Sequence, residues 1–188
     1  MSDEQENLAF KTVTIWTIGH STLAADEFVA RLASFDIETL VDVRSFPGSR
    51  RYPHFNKERL LGSLSEAGIE YVHMPEIGGR RKARPGSQNL AWQNESFRGY
   101  ADYMETKEFR AAVERLIEIA RSCRTAIMCA EALWWRCHRS LIADYLKANG
   151  ATVIHIFGLD KSEEHPFTSA ARIVDGELSY RGVLETQD

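Results

Sequence analysis

Five short apolar, β-rich runs alternate with segments of helical periodicity, and this alternation most limits what the chain can fold into. The runs are VTIWTI (13–18), TLVDV (39–43), IEYVH (69–73), TAIM (125–128) and TVIHIF (152–157). Between them apolar residues recur at helical spacing. Phe28, Leu32 and Phe35 mark one helix, and Leu60, Leu61 and Leu64 a second. Phe97, Tyr100, Ala101 and Met104 mark a third, and Phe109, Val113, Leu116, Ile117 and Ala120 a fourth. Leu141, Ile142, Tyr145 and Leu146 mark a fifth. Strand and helix in alternation predict an α/β fold with a parallel sheet covered on both faces. The fold class expected is a single-domain, Rossmann-like three-layer sandwich with a mostly parallel sheet of about five strands.

Local signals set expected boundaries. Ser21 or Thr22 is expected to cap the first helix, and Asn56 to start the second, with Gly68 ending it. The fifth helix is expected from about Arg136 to Asn149-Gly150. RIVDGELSY, with Asp-Gly between two β-like runs, predicts a small C-terminal hairpin. The longest connection, between strands three and four, holds two helices. It fits a crossover giving strand order 3-2-1-4-5, with the switch point between strands one and four.

A chain of 188 residues suits one domain, expected over 13–188 behind a flexible acidic tail at 1–12. No run of about 18 apolar residues is present, so no membrane partner is expected. MSDEQENLAFK lacks the basic start and apolar middle of a secretory signal, which leaves a cytoplasmic location as the expectation. Three cysteines make no disulfide framework; they are expected as thiols or ligands.

The net charge of −4 argues against bulk affinity for nucleic acid, but the charge is unevenly spread. Residues 44–59, 79–98 and 121–139 hold fourteen of the 23 basic residues and three of the 27 acidic ones. Each of these segments follows or flanks a strand end. Ligands of such folds bind outside the carboxyl ends of the strands. After strand one come Gly19, His20 and Ser21. Strand two leads to Asp42, Arg44, Arg50 and Arg51, and strand three to His73, Arg80 and Arg81. Strand four leads to Cys129, Glu131, Arg136, Cys137, His138 and Arg139. The carboxyl edge is therefore the expected functional face, with a field that attracts anions.

The motifs GHST, VDVRSFPGSRRYPHF, YVHMPEIGGRR and MCAE…CHRSLIADYL, in this order over about residues 14–157, resemble the domain of unknown function 488 family. The resemblance implies a cytoplasmic prokaryotic α/β protein. It suggests that GHS, DVR, GGRR, CAE and CHR belong to one site, and it implies no particular reaction.

Three readings of this edge compete. In the first, a phosphorylated ligand (a nucleotide or nucleic-acid segment) is bound by Arg44, Arg80, Arg81 and Arg139 with His138 and Ser21, since the arginine fork suits phosphate. Catalysis of hydrolase or transferase type would then use Glu131 as general acid/base. Cys137 or His20 would be nucleophile or proton shuttle. A thiol flanked by Arg136, His138 and Arg139 at a helix start is favoured as thiolate. A cysteine-phosphatase loop fits poorly: Cys129 and Arg136 are one residue too far apart, and Ala-Glu-Ala-Leu-Trp-Trp between them has no glycine. In the second, the protein is a non-catalytic single-strand binder. Its loop 79–98 ends near Trp92, and Phe46, Tyr52 and Phe55 interleave with Arg50 and Arg51. In the third, Cys129, Glu131, Cys137 and His138 hold a metal, although Cys-x7-Cys is an unusual ligand spacing and the arginines repel cations. No cofactor is identified. Against all three stands plain packing: Cys129 as a small buried strand-end residue, Cys123 as incidental, and His73 and His155 as structural.

Overall fold

The structure is a computed structural model that describes residues 13–182. The acidic tail expected at 1–12 and residues 183–188 of the expected domain lie outside the described residues. The strands of the main sheet are β1 (Thr14–Gly19), β2 (Thr39–Asp42), β3 (Glu70–His73), β4 (Thr125–Cys129), β5 (Thr152–Gly158) and β6 (Lys161–Glu164). The helices are α1 (Ala25–Ala33), α2 (Lys57–Glu66), α3 (Glu95–Met104), α4 (Lys107–Ser122) and α5 (Arg139–Ala148). The expected hairpin forms from β7 (Arg172–Val174) and β8 (Glu177–Ser179), paired antiparallel. The fold is α/β as the alternation requires.

The sheet order is β3-β2-β4-β1-β5-β6, which corrects the expected 3-2-1-4-5. The first five strands run parallel, and β6 folds back antiparallel along β5 as an added edge. β4 lies between β2 and β1, not between β1 and β5. Both orders place α1 and α2 on one face and the later helices on the other. Right-handed crossovers therefore cannot discriminate between them. β6, KSEE, is exposed at all four positions, so it carries no apolar signature and was missed.

Alternation along the strands feeds two cores. Ile15, Val41, Ile127 and Val153 face α3, α4 and α5. Trp16, Leu40, Met128 and Ile156 face α1 and α2 through Phe28, Leu32, Leu60 and Leu64. Caps account for two of the helix starts. Asn94 accepts from the Ser96 and Phe97 amides at 2.9 and 3.3 Å, and Thr106 accepts from the Phe109 amide at 3.3 Å. α1 begins after Ala24 with no side-chain cap, so neither Ser21 nor Thr22 serves as expected. α5 begins at Arg139, three residues later than expected, because Trp134–Arg136 forms a separate 3₁₀ turn.

Candidate functional site

The switch point lies where β1 and β4 end side by side. Gly19 pairs with Cys129, and the ladder runs on beyond the strands: the His20 amide donates to Cys129 O at 3.0 Å, and Ser21 to Ala130 O at 2.9 Å. Ser21 then takes φ 46°, turning the chain away toward α1. A Cβ on Gly19 would sit 1.8 Å from the Glu131 carbonyl oxygen. Only glycine lets the β4 loop pass this close.

That loop returns Cys137 to Cys129, with the two sulfurs 2.7 Å apart. Arg139, 1% exposed, locks the pair. Its Nε–H donates to Cys129 Sγ at 3.0 Å, and its amide to Cys137 Sγ at 3.5 Å. Its Nη2 donates to Glu131 O at 2.5 Å and Ala132 O at 3.3 Å, clamping the loop. His138 Nδ1 lies 3.4 Å from Cys137 Sγ. Burial, with the hydrogen bond to Cys137, pushes the Cys129 thiol well above the ordinary range. Burial would push Cys137 the same way. The hydrogen bond from Cys129, the His138 ring and the Arg139 charge outweigh it and hold Cys137 well below that range. The pair therefore sheds its first proton readily and keeps its second.

Beneath the sulfurs runs a buried polar chain. Arg139 Nη1 donates to Thr17 Oγ1 at 3.2 Å, and Thr17 Oγ1 meets His155 Nδ1 at 2.7 Å. His155 Nε2 meets His165 Nδ1 at 2.9 Å, and His165 Nε2 meets Asp144 Oδ1 at 3.0 Å. Asp144 also accepts from the Thr168 amide (2.9 Å), the Thr168 hydroxyl (2.6 Å) and the Tyr180 hydroxyl (2.8 Å). Arg139 can only donate and the carboxylate only accepts. With one proton on each ring, every bond in the chain points the same way, from guanidinium to carboxylate. Burial, then the neighbouring His165 and Arg139, lowers His155 to about 2. Trp134 stacks flat on the His155 ring, centroids 4.4 Å apart, and seals the chain from solvent.

Above the sulfurs opens a cleft of about 520 Å³. Its lining includes His20, Ser21, Arg44, Phe46, Tyr52, Arg80, Phe97, Glu131, Arg136, Cys137 and His138. Arg44 is held in a two-pronged pair with Asp42 (Nε–Oδ1 2.9 Å, Nη2–Oδ2 2.6 Å) and donates to Phe55 O at 2.9 Å. Tyr71 donates to the same carboxylate at 2.8 Å. Arg44 Nη1 lies 3.3 Å from His20 Nε2, and His20 Nδ1 donates to Ser21 O at 3.0 Å. Burial, then the Arg44 charge, lowers His20 to about 4. His20 stacks on Phe55 at 4.1 Å, so its ring is fixed. Arg80 and Arg136 are exposed and, among the described residues, take part in no ion pair. Glu131 is the one carboxylate among the described residues lining the cleft.

Of the residues singled out from sequence, the fold brings Ser21, His20, Arg44, Arg80, Glu131, Cys137 and His138 to one cleft. Arg81 turns away, stacking over Tyr103 at 3.7 Å and donating to Glu76 O at 2.8 Å. Arg139 lies under the cleft floor with its donors taken by protein groups. Trp92 packs against Phe97 and Tyr180 at 5.0 and 5.7 Å and is not among the residues lining the cleft. Cys129, Cys137 and His138 adjoin, but among the described residues no group of three or more His, Cys, Asp or Glu is gathered to hold a metal ion. Sequence reasoning missed Thr17, Asp144 and His165, and left the Trp134-Trp135 pair open between a dimer interface and a cover for the site. A polar residue in the apolar run VTIWTI and a histidine in TVIHIF were the available signals. Among the described residues no helix is long and apolar enough to cross a membrane.

Compared with curated proteins and with solved structures, the chain finds no match in either set. A family model does match, over residues 24–146. The matched span takes in the DVR, GGRR, CAE and CHR segments and begins after GHST. The chain therefore belongs to the family described as domain of unknown function DUF488.

Proposed function

We propose that the cleft binds a phosphorylated ligand carrying an aromatic ring, a nucleotide or a short nucleic-acid segment, and presents the Cys137 thiolate to it. The observation that carries this reading is the composition of one concave surface. Arg80 and Arg136, free of ion pairs among the described residues, stand beside the rings of Phe46, Tyr52 and Phe97, with Cys137 at the floor. Cationic forks take phosphate, and ring faces take a base. Arg44, ion-paired with Asp42, adds a rigid donor edge, and His20 positions it. Cys137 is the nucleophile and Glu131 the proton-transfer group of a transferase- or hydrolase-type step.

Titration calorimetry on the reduced full chain tests the binding, using nucleoside monophosphates, inorganic phosphate and a short single-stranded oligonucleotide as probes. Arg80→Ala and Arg136→Ala are each expected to weaken the bound probe by about tenfold, ~1.4 kcal/mol. For the oligonucleotide, the log–log salt slope should shrink by about 0.7 per arginine removed. Binding that persists unchanged in both variants, or none to any probe, overturns the reading. Binding that survives while Cys137→Ser leaves every turnover assay unchanged identifies the non-catalytic single-strand binder instead.

A further inference from the structure

We propose that Cys129 and Cys137 form a two-electron redox pair that a small hydroperoxide converts to a disulfide, with Cys137 attacking and Cys129 resolving. This does not rest on the ligand reading above, because it needs only an oxidant small enough to reach the cleft floor.

Three observations carry it. The sulfurs are 2.7 Å apart, within about 0.7 Å of a disulfide bond length of ~2.05 Å. Cys129 ends β4, and Cys137, in the turn leading into α5, is fixed against it because Arg139 hydrogen-bonds both sulfurs, so the approach is built into the fold. The pair also has an internal contrast in the same chain. Cys123, at the opposite end of β4, is bonded to Thr39 Oγ1 at 3.2 Å and to Ile119 O at 3.3 Å and is remote from the cleft. Cys129 and Cys137 are only 3% and 4% exposed yet both line the cleft, so a peroxide entering it meets them at its floor. Arg139 supplies the polar anchor: its Nε–H on Cys129 keeps that sulfur aimed at Cys137.

The chemistry balances in two steps. The Cys137 thiolate attacks one oxygen of the peroxide; an S–O bond forms, the O–O bond breaks, and hydroxide or alkoxide leaves to take a proton from water. Cys137 is then a sulfenic acid. Cys129 attacks that sulfur; the S–S bond forms, the S–O bond breaks, and the Cys129 proton leaves with the hydroxyl as water. Both sulfurs are oxidised by one electron each and the two peroxide oxygens are reduced. Two equivalents of an external thiol, or one dithiol, restore the pair and leave as a disulfide. Oxidation removes the thiolate from the cleft floor, so the same step silences any nucleophilic chemistry there.

The test uses the reduced full chain with one equivalent of hydrogen peroxide, read by intact mass, thiol count and peptide mapping. Expected is the loss of two hydrogens, three thiols falling to one, a bond linking residues 129 and 137, and full reversal by dithiothreitol. In Cys129→Ser, a dimedone adduct should appear on Cys137; in Cys137→Ser, Cys129 should oxidise no faster than Cys123. An unchanged thiol count, Cys123 consumed alongside the pair, or bonds only between chains overturns the proposal. The wild-type thiol count decides the matter even if a serine variant fails to fold. Phosphate-probe binding by the reduced protein is measured separately, so either proposal can fail alone.

Discussion

At the scale of single residues, the site's character comes from groups that are buried without being neutralised in the ordinary way. Arg139 carries its charge into the interior and meets two sulfurs, a hydroxyl and two carbonyls, with no carboxylate among its hydrogen-bond acceptors. His20 and His155 are held near 4 and near 2, below the ordinary 6.5, chiefly by burial. The sign of the consequence is fixed. As pH falls through 6.5 the unfolded chain takes up these protons first, so folding stability declines. The decline runs at up to ~1.4 kcal/mol per pH unit per histidine. The His20 share should level off near pH 4, when the folded form is protonated too, and the His155 share should continue below it. Urea unfolding at a series of pH values checks this: His20→Asn should flatten the slope between pH 6.5 and 4. An unaltered slope would mean that His20 does not titrate low. Few of these states could be read from the residues. Of the groups that favour the Cys137 thiolate, His138 and Arg139 are its sequence neighbours and were legible, whereas the leading one, the hydrogen bond from Cys129, comes from the strand end eight positions back. Arg139 was read as a ligand arginine because Thr17, 122 positions away, is invisible to local pattern.

At the scale of elements, the cleft is lined by the loops after β1, β2, β3 and β4, and those after β1, β3 and β4 press closer than a Cβ permits. The loop after β3 passes His138 at Gly79, where a Cβ would lie 2.4 Å from Nδ1 and 2.6 Å from Cγ of the ring. Gly79→Ala must therefore push either the loop or the imidazole. The expected cost is about 1–3 kcal/mol, as for other overpacked sites, read as a lower urea midpoint. The same displacement moves His138 off Cys137, so the thiol's titration midpoint, followed by thiolate absorbance, should rise. A variant with wild-type midpoint and wild-type thiol titration would show that the two loops are not in contact. The element types were legible, since short apolar runs and helical spacing survive without tertiary context. Boundaries were less so. WWR folds as a 3₁₀ turn under α5 because Trp134 is drawn down onto His155, a contact that lies outside any local rule.

At the scale of the whole molecule, Asp144 ties the C-terminal segment to the site. It is fully buried on α5, and its oxygens collect His165, Thr168 and Tyr180, from β6 onward to the strand end of the hairpin. Asp144→Ala leaves those donors unpaired in the core and should cost about 3–5 kcal/mol, a large share of a typical domain's ~5–15 kcal/mol. Hydrogen exchange should quicken over residues 165–180 and also at Thr17, through the two histidines. Faster exchange confined to the C-terminal segment would break the link to the site. By itself the sequence determined the α/β class, the hairpin, the family and the sheet edge at which most of the singled-out residues gather. Each of those is written in periodicity, turn residues or contiguous motifs. Only the tertiary structure decided that β4 inserts between β2 and β1, that the two thiols meet, and which arginines face the cleft. These are outcomes of competition among long-range packings of nearly equal local merit, and a buried charge takes whichever partners that packing brings within reach.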